Sequence, residues 1–250
     1  TRVLVEISSE SGEIREVDLE RRSVDLRPVR TKRLRDDFHT IGYLRITQFS
    51  ESVPKKVEEA LQELKEKDVE GLILDLRNNS GGLVSSGIAV ADSLLSEKPV
   101  VETKNRNGIK DAIISQKETS FDGPMVTLVN KGTASASEIL AGSLQDNGRS
   151  ILMGEQTYGK GLIQSLKSLG EDSGIAITVA SYLTPKGNNI QGQGMTPDKL
   201  LDLQDAKEYG SADDKWVRNA ELFLDSLLEE EEEEEVFIQT GKLSNVEMKT

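Results

Sequence analysis

The sequence predicts an α/β fold with a mixed, mostly parallel sheet. Short apolar segments rich in β-branched residues alternate with amphipathic helical segments, an order typical of a sheet covered by helices. The segment GLILDL at 71–76 is apolar without alternation, which predicts a strand buried on both faces. A second apolar strand, MVTLV at 125–129, is followed closely by a helical pattern, so the strand–helix order repeats.

Composition narrows the classes of function. The chain has 250 residues, 36% hydrophobic and 30% charged, as expected for a globular protein with a solvated surface. A net charge of −13 argues against a nucleic-acid partner. No apolar run approaches the length of a membrane span, so we expect no integral membrane segment. Cysteine is absent, which excludes disulfides, thiolate metal sites and a cysteine nucleophile.

The single histidine, His39, limits the chemistry further. A Ser/His/Asp enzyme would have to use this residue, and a site with several histidine ligands is excluded. His39 leads into the strand pattern IGYLRI, so we expect it at a strand end or on the surface. We therefore predict neither a bound metal nor a cofactor.

The elements before the centre of the chain follow from periodicity and turn signals. Residues 1–26 hold two alternating segments around SSESGE, which predicts a β-hairpin. Further elements are predicted as a strand at 41–49, helices at 54–67 and 84–95, and a second hairpin with Asn107-Gly108 at its tip.

The elements after the centre end in an acidic tail. Residues 162–166 and 175–183 predict a hairpin, and 213–228 predict a helix with Trp216 and Phe223 on one face. Residues 229–235 are all glutamate, and repulsion between like charges predicts that 229–250 is a disordered tail.

Ser135 is the candidate nucleophile, in the segment GTASASEI. It lies between the strand at 125–129 and a helical pattern, so it falls close to a helix N-terminus. Backbone N–H groups there have no helical partner and favour developing negative charge. The alternative is that Ser135 or Thr133 only caps the helix, with Glu138 completing a capping box. Ser137 and Thr133 are the competing hydroxyls.

Lys160 is the candidate base, flanked by Gly159 and Gly161. Such a segment suits a loop whose backbone passes close to another part of the chain. A lysine base must be neutral, which near pH 7 requires a pKa about three units below the reference value of roughly 10.4. We expect apolar neighbours to desolvate the amine and a glutamine on the same strand face to hold it without charging it. These residues are Leu162, Ile163, Ile151 and Gln164.

A glycine loop at 77–82 precedes the helix at 84–95. Gly81 and Gly82 could present N–H groups to an anion or an oxyanion. Taken alone, the segment more simply predicts a plain turn between a strand and a helix. Phosphate binding would need a P-loop lysine, and none follows at the required place.

Together, GTASASEI, the GKG segment 25 residues after its serine and the glutamine four residues further on resemble the carboxyl-terminal processing (tail-specific) peptidases. The resemblance covers roughly residues 30–205. It implies Ser135 as nucleophile, Lys160 as general base and Gln164 as the residue that orients the lysine. It also implies an oxyanion hole made by the N–H groups of Ala136 and of Gly81 or Gly82. Ser80 stands where this family usually has proline, so the loop loses one fixed φ angle.

The same resemblance implies an architecture and a setting. The catalytic core, residues 29–210, is expected to have a ββα core like that of crotonases and Clp proteases. Residues 1–28 resemble the last strands of a PDZ domain whose start lies outside this sequence, and 211–228 form a C-terminal helix. The implied partners are protein or peptide substrates with a free C-terminus. The segment GKGLIQSL is most similar to the cyanobacterial and plastid branch, which implies the periplasm or the thylakoid lumen.

Two alternatives from other classes remain open at this point. One is a crotonase-like acyl-CoA enzyme, because related cores also use glycine-loop oxyanion holes; no basic site for the adenine phosphate is evident. The other is a truncated, non-catalytic scaffold that binds peptides.

Overall fold

The computed structural model of the chain describes residues 1–9, 11–22, 27–35, 39–108, 110–116, 118–170, 173–202 and 206–247. In chain order the elements are β1 (Arg2–Ser8), β2 (Ile14–Glu20), β3 (Val29–Arg35), β4 (Thr40–Ile46), α1 (Val53–Lys65), β5 (Gly71–Asp75), α2 (Val84–Leu94), β6 (Pro99–Asn105), β7 (Lys110–Ile114), β8 (Met125–Val129), α3 (Ala136–Asp146), β9 (Ile151–Gly154), β10 (Leu162–Gly170), β11 (Ser173–Leu183), β12 (Lys199–Leu200) and α4 (Lys215–Glu247).

A six-stranded sheet forms the centre of the fold, with strands in the order β12-β9-β8-β5-β4-β3. Each neighbouring pair is parallel except β3 and β4, which are antiparallel. The prediction of an α/β fold with a mixed, mostly parallel sheet is therefore confirmed. Because β5 and β8 are central and parallel, their carboxyl ends lie at the same edge, where Asp75 leads into the glycine loop and Val129 leads toward Ser135.

Both faces of the central sheet are covered. Leu72 and Leu74 of β5 belong to one buried cluster, which includes residues of α1, α2 and α3. Ile73, between them, belongs to a second cluster that includes Trp216 and Leu224 of α4. Successive side chains of a strand point to opposite faces, so the continuous apolar pattern of β5 reflects burial on both sides.

A second, four-stranded sheet has the order β10-β11-β6-β7 and is antiparallel throughout. Both predicted hairpins of this sheet are present. Ile109, near the tip of the β6–β7 hairpin, lies outside the described residues. The β10–β11 hairpin directly follows the Lys160 segment, as expected.

Among the residues that the structure describes, the first two strands, β1 and β2, pair only with each other, in an antiparallel two-stranded sheet. The hairpin predicted for this part of the chain is confirmed. Its assignment to the end of a PDZ domain stays a prediction.

Helix α4 differs from the prediction for the end of the chain. The helix does not end at Leu228 but runs through the glutamate run to Glu247, so the prediction of disorder is wrong for 229–247, and 248–250 lie outside the described residues. Glutamate has a high helix propensity, and each like-charge pair at i,i+4 costs only a few tenths of a kcal/mol. Within the described ranges, neither α4 nor any other helix is both long and apolar enough to cross a membrane.

His39 lies at the strand end before β4, as expected, but its side chain is buried and not on the surface. Its Nδ1 atom is 3.7 Å from Oε1 of Glu70, the residue before β5. The burial follows from its position. His39 precedes β4, which is buried from Ile41 onward, and lies close to the start of β5, the strand that pairs with β4.

Candidate active site

Ser135 lies at the N-cap position of α3, after the loop that follows β8. Its backbone has φ 60° and ψ −119°, a sparsely populated region for a residue with a side chain. Such a conformation costs about 1–3 kcal/mol and persists only where the surroundings hold it. The side chain is half-buried, at a point where the first turn of α3 leaves N–H groups without helical partners.

The two competing hydroxyls are occupied by structural hydrogen bonds. Thr133 Oγ1 donates to the Leu76 carbonyl at 2.9 Å, and Ser137 Oγ donates to the Asn79 carbonyl at 2.9 Å. Both side chains are buried. The preference for Ser135 among the three hydroxyls is therefore supported by geometry as well as by the motif.

Glu138 joins the Ser135 turn to the Lys160 segment. Its carboxylate is fully buried and accepts four hydrogen bonds. Oε2 accepts from the Ser135 N–H at 2.8 Å and from the Lys160 N–H at 2.9 Å. Oε1 accepts from Thr157 Oγ1 at 2.6 Å and from the Gly159 N–H at 2.7 Å. The capping-box interpretation of Glu138 was thus only part of its role, because one oxygen holds the backbones of both candidate catalytic residues.

Tyr182 of β11 makes a second connection between the same two residues. Its buried hydroxyl lies 3.1 Å from the Ser135 carbonyl and is also within hydrogen-bonding distance of the Lys160 carbonyl. Burial, and next the charge of Glu138, raise the pKa of Tyr182 well above its usual range, so the phenol keeps the proton that it donates. The sequence offered no signal for this role beyond a tyrosine in a predicted strand.

The two glycines beside Lys160 are required by close packing. Gly159 has φ +89°, and a Cβ atom there would lie 2.6 Å from the Gly194 nitrogen. A Cβ on Gly161 would lie 3.0 Å from the Gln191 nitrogen, and the Gly161 N–H donates to Gln191 Oε1 at 2.8 Å. The expectation that this backbone passes close to another part of the chain is correct, and the neighbour is the turn at 190–194.

The surroundings of the Lys160 side chain differ from the expectation. The side chain is exposed, and no hydrogen bond or ion pair joins its Nζ to another described residue. Ile151 does not desolvate it, because Ile151 packs against the cluster on the α4 side of the sheet. Ile163 packs into the other cluster, and Leu162 is itself 37% exposed. The apolar residues were assigned correctly to strands, but tertiary packing turns them elsewhere.

Gln164 lies on β10 with its side chain exposed, on the same alternating face as Leu162. A register shift between Ile163 and Gln164 interrupts the pairing with β11. Among the described residues, no hydrogen bond connects the Gln164 side chain to Lys160. Its orienting role therefore stays a prediction.

The glycine loop lies directly against the Ser135 turn. Gly81 has φ +100°, and a Cβ atom there would lie 2.8 Å from Ser135 Cβ and 3.0 Å from the Ala136 nitrogen. Its N–H already donates to Asn79 Oδ1 at 2.9 Å. For Gly82 and Ala136, no described group accepts a hydrogen bond from the N–H. These two donors are therefore the ones left for an oxyanion.

In the part of the chain that the structure describes, no group of three or more His, Cys, Asp or Glu side chains is arranged so that it could hold a metal ion. The groups that the Ser135 turn and the adjoining Lys160 segment carry are a hydroxyl, a primary amine on an exposed side chain and backbone N–H donors. This set is sufficient for acyl transfer through a covalent intermediate.

Comparison with known proteins places these features in a family context. Residues 40–201 match the model of peptidase family S41. The chain is 47% identical over 206 residues to a carboxyl-terminal-processing protease of Synechocystis sp., covering 81% of this chain and 48% of that protein. It is 45% identical over 164 residues to a chloroplastic C-terminal processing peptidase of Tetradesmus obliquus, covering 65% of this chain and 35% of that protein.

A solved structure, described as a photosystem II D1 C-terminal processing protease, matches with a TM-score of 0.68 and 37% identity. The match covers 81% of this chain and 56% of that one. This chain spans about half the length of the curated relatives that it matches.

Proposed function

The chain belongs to peptidase family S41, and from this premise we propose that the protein is a serine-type endopeptidase that cleaves protein substrates near their C-termini. The observation that carries the proposal is the shared acceptor, Glu138 Oε2, which binds the N–H groups of both Ser135 and Lys160. Residues 25 positions apart in the sequence thereby meet at one atom, and the pair that the motif singles out becomes a spatial pair.

In the proposed mechanism, Ser135 Oγ attacks the scissile carbonyl carbon while Lys160 Nζ takes the hydroxyl proton. The N–H groups of Ala136 and Gly82 stabilise the oxyanion of the tetrahedral intermediate. The lysine then gives its proton to the departing amine, which leaves an acyl-enzyme ester on Ser135. Water, deprotonated by Lys160, hydrolyses this ester and regenerates the serine.

The exposed Lys160 side chain needs to lose contact with water before it can act as a base, because burial disfavours the ammonium form. We assign that step to the substrate polypeptide, which would cover the amine as it enters the site. Gln164, four residues further along β10, would then orient the neutral amine without adding a charge. A carboxylate at this position would favour the protonated form instead.

The substrate class and the location are inferred from the relatives. Their printed names describe C-terminal processing in cyanobacteria and chloroplasts. We propose the same class of substrate here, a protein with a free and accessible C-terminus, and a location in the periplasm or thylakoid lumen. Residues 1–28 would be the last strands of a PDZ domain, and the catalytic core would have the ββα arrangement of crotonases and Clp proteases.

The proposal is tested by labelling with a fluorophosphonate probe together with hydrolysis of a peptide that carries a free C-terminus. The protein should be labelled at Ser135, and Ser135→Ala should abolish both labelling and hydrolysis while leaving the thermal unfolding unchanged. Ser226→Ala, an exposed serine of α4, is the matched control and should behave as the unsubstituted protein.

Several results would contradict the proposal. If Ser135→Ala keeps more than about a thousandth of the activity, another group is the nucleophile, since loss of a catalytic group usually costs several decades. Loss of activity with EDTA, restored by zinc, would indicate a metallopeptidase. Retention on immobilised coenzyme A would favour an acyl-CoA enzyme, and absence of both labelling and retention would favour a peptide-binding scaffold.

A further inference from the structure

A buried guanidinium lies beneath the candidate active site. Arg77 comes two residues after the end of β5, and its side chain is fully buried. Asp75 accepts from Arg77 Nε at 3.0 Å and from Nη2 at 2.7 Å. Asp214 accepts from Nη1 at 3.1 Å and from Nη2 at 2.6 Å. The guanidinium is thus held by two carboxylates, one at the end of β5, two residues before Arg77, and one 137 positions away in the chain.

The charges of this group balance. Arg45 Nη1 lies 2.9 Å from Asp75 Oδ2, so two carboxylates face two guanidinium groups. Burial alone would raise the pKa of Asp214, but hydrogen bonds from Arg77 and from the Gly210 N–H hold the pKa below its usual value. Asp214 is therefore the ionised partner of Arg77, and removing its charge would leave a buried cation with one carboxylate fewer.

Asp214 belongs to the C-terminal part of the chain, outside the residues that match the family model. Its Oδ1 also accepts from the N–H groups of Trp216 and Val217, in the first turn of α4. The same carboxylate thus caps α4 and holds Arg77. The start of α4 is attached to the central sheet at this point.

Tyr209 adds a second attachment from the same segment. Its ring lies 4.1 Å from the Arg45 guanidinium carbon and 4.4 Å from that of Arg77. Its hydroxyl accepts a hydrogen bond of 2.5 Å from Asn78 Nδ2. Residues 209 and 214 therefore contact two consecutive residues of the glycine loop, Arg77 and Asn78.

These contacts continue into the loop that carries Ser135. Asn78 and Asn130 form two reciprocal hydrogen bonds, from Asn78 N at 2.9 Å and from Asn130 Nδ2 at 3.0 Å. The Asn79 carbonyl accepts from the Ala134 N–H at 3.0 Å and from Ser137 Oγ. Asn79 Oδ1 also holds the Gly81 N–H. The position of residues 77–79 is thereby transmitted to both loops that would perform the chemistry.

We propose that Asp214, assisted by Tyr209, is a positioning residue for the reaction: it holds Arg77 from the C-terminal segment and so sets the relative position of Ser135 and the oxyanion donors. This inference rests on the proposed peptidase function. Neither residue touches the reacting atoms. Their contribution is to keep the 77–82 and 130–135 loops in register, which matters because a displacement of about 1 Å can cost roughly 100-fold in rate.

The test compares Asp214→Asn with two matched controls in steady-state peptide hydrolysis and in the rate of Ser135 labelling. Asparagine keeps the shape but loses the charge and one acceptor. We expect kcat and the labelling rate to fall by roughly 100-fold, with KM changed by less than about threefold because substrate contacts remain. Asp213→Asn, the exposed neighbour with the same change in charge, should keep the kcat of the unsubstituted protein.

Leu224→Ala is the control for stability. This side chain is fully buried on α4, in the cluster that attaches the helix to the sheet, and it is not among the contacts of the Arg77 group. The substitution should lower the melting temperature but leave kcat unchanged at a temperature where the protein is folded. A merely structural Asp214 would behave in the same way, and that result would overturn the inference.

A second variant keeps the test decisive if Asp214→Asn does not fold. Tyr209→Phe keeps the ring over both guanidinium groups and removes only the hydroxyl that binds Asn78. We expect kcat to fall about fivefold with an unchanged melting temperature; an unchanged kcat would overturn the inference. If the unsubstituted protein neither hydrolyses peptide nor is labelled, the proposed function itself fails, which is distinguishable from both results.

Discussion

The surroundings of Ser135 and of Lys160 differ sharply, although one carboxylate holds the backbones of both residues. Ser135 lies between β8, whose five residues are all buried, and α3, whose residues are buried from Ala136 to Leu144. Lys160 leads into β10, whose residues are mostly exposed, and its own side chain is exposed. The fold therefore fixes the whole surroundings of Ser135, whereas for Lys160 it fixes only the position of the backbone.

This difference indicates how the work is divided in the proposed reaction. The strained backbone of Ser135 and the close approach of Gly81 are made by the packed core, before any substrate arrives. The environment that makes a lysine amine basic near neutral pH needs exclusion of water. On the lysine side, Glu138 and Tyr182 supply position, and the proposed substrate supplies the desolvation.

The largest expected effect comes from substitutions of Lys160, which remove the proposed base. Arginine cannot lose its proton, so Lys160→Arg should be as inactive as Lys160→Ala, with kcat/KM lower by roughly a thousandfold or more. Both variants are measured in the same peptide assay. Lys167→Arg, an exposed lysine of the same hairpin, should keep full activity.

Substantial turnover by Lys160→Arg would mean that Lys160 acts as a charge and not as a base, and the buried His39 would need to be examined in its place. Gln164→Ala should have a milder effect, about threefold to tenfold, because it disturbs the orientation of the base without removing it. An effect as large as that of Lys160→Ala would assign Gln164 a direct part in the chemistry.

The next largest effect is expected from a substitution of Glu138, which connects the backbones of Ser135 and Lys160. Glu138→Gln replaces one of two acceptor oxygens by a donor, so two of the four N–H or O–H groups lose their partner. We expect a loss of roughly 2–6 kcal/mol in the free energy of unfolding, since each of the two unsatisfied buried groups costs about 1–3 kcal/mol. The accompanying fall in kcat should be about 100-fold.

Urea unfolding and peptide hydrolysis measure the two effects of Glu138→Gln. Glu155→Gln is the control, because Glu155 lies half-buried in a 3.7 Å ion pair with Lys131. It should change stability by less than about 1 kcal/mol. Equal effects of the two substitutions would contradict the connecting role of Glu138.

A smaller effect is expected from Tyr182→Phe, which removes one donor and leaves two carbonyls without it. The predicted cost is about 1 kcal/mol in unfolding free energy, and about a tenfold loss in kcat. Tyr158→Phe, 67% exposed in the segment before Lys160, should be neutral. A rise in KM with kcat retained would mean that Tyr182 contributes to substrate binding and not to the catalytic geometry.

The smallest expected effect is the contribution of Asp214 to the pH dependence of stability. The pKa of Asp214 in the folded protein is held below its ordinary value of 3.8. As the pH falls below about 5, the Asp214 carboxylate therefore binds a proton in the unfolded chain before it does so in the folded protein. Because the unfolded state then binds more protons, stability falls as the pH is lowered and is highest above this range. Urea midpoints between pH 7 and pH 3 should show a shallower fall for Asp214→Asn than for Asp213→Asn.

The sequence by itself determined the elements and the candidate pair. The apolar strand patterns of β5 and β8 and the hairpins around β6–β7 and β10–β11 depend on residues close together in the chain, whereas the choice of Ser135 and Lys160 depends on the resemblance of their combined motifs to a family. Patterns of this kind are visible because side chains repeat every two residues in a strand and every 3.6 in a helix. The glutamate run is the exception, because its helix propensity outweighs the repulsion between like charges that predicted disorder.

Only the tertiary structure decided what surrounds that pair. It connected Glu138 and Tyr182 to the backbones of both candidate catalytic residues, left the Lys160 side chain exposed, and brought Asp214 to Arg77. Apart from the capping contact between Glu138 and Ser135, these contacts join residues between 22 and 137 positions apart, and such pairings have no periodicity that a sequence could reveal. They depend on which strand ends meet at one edge of the sheet, and that is settled only when the whole core packs.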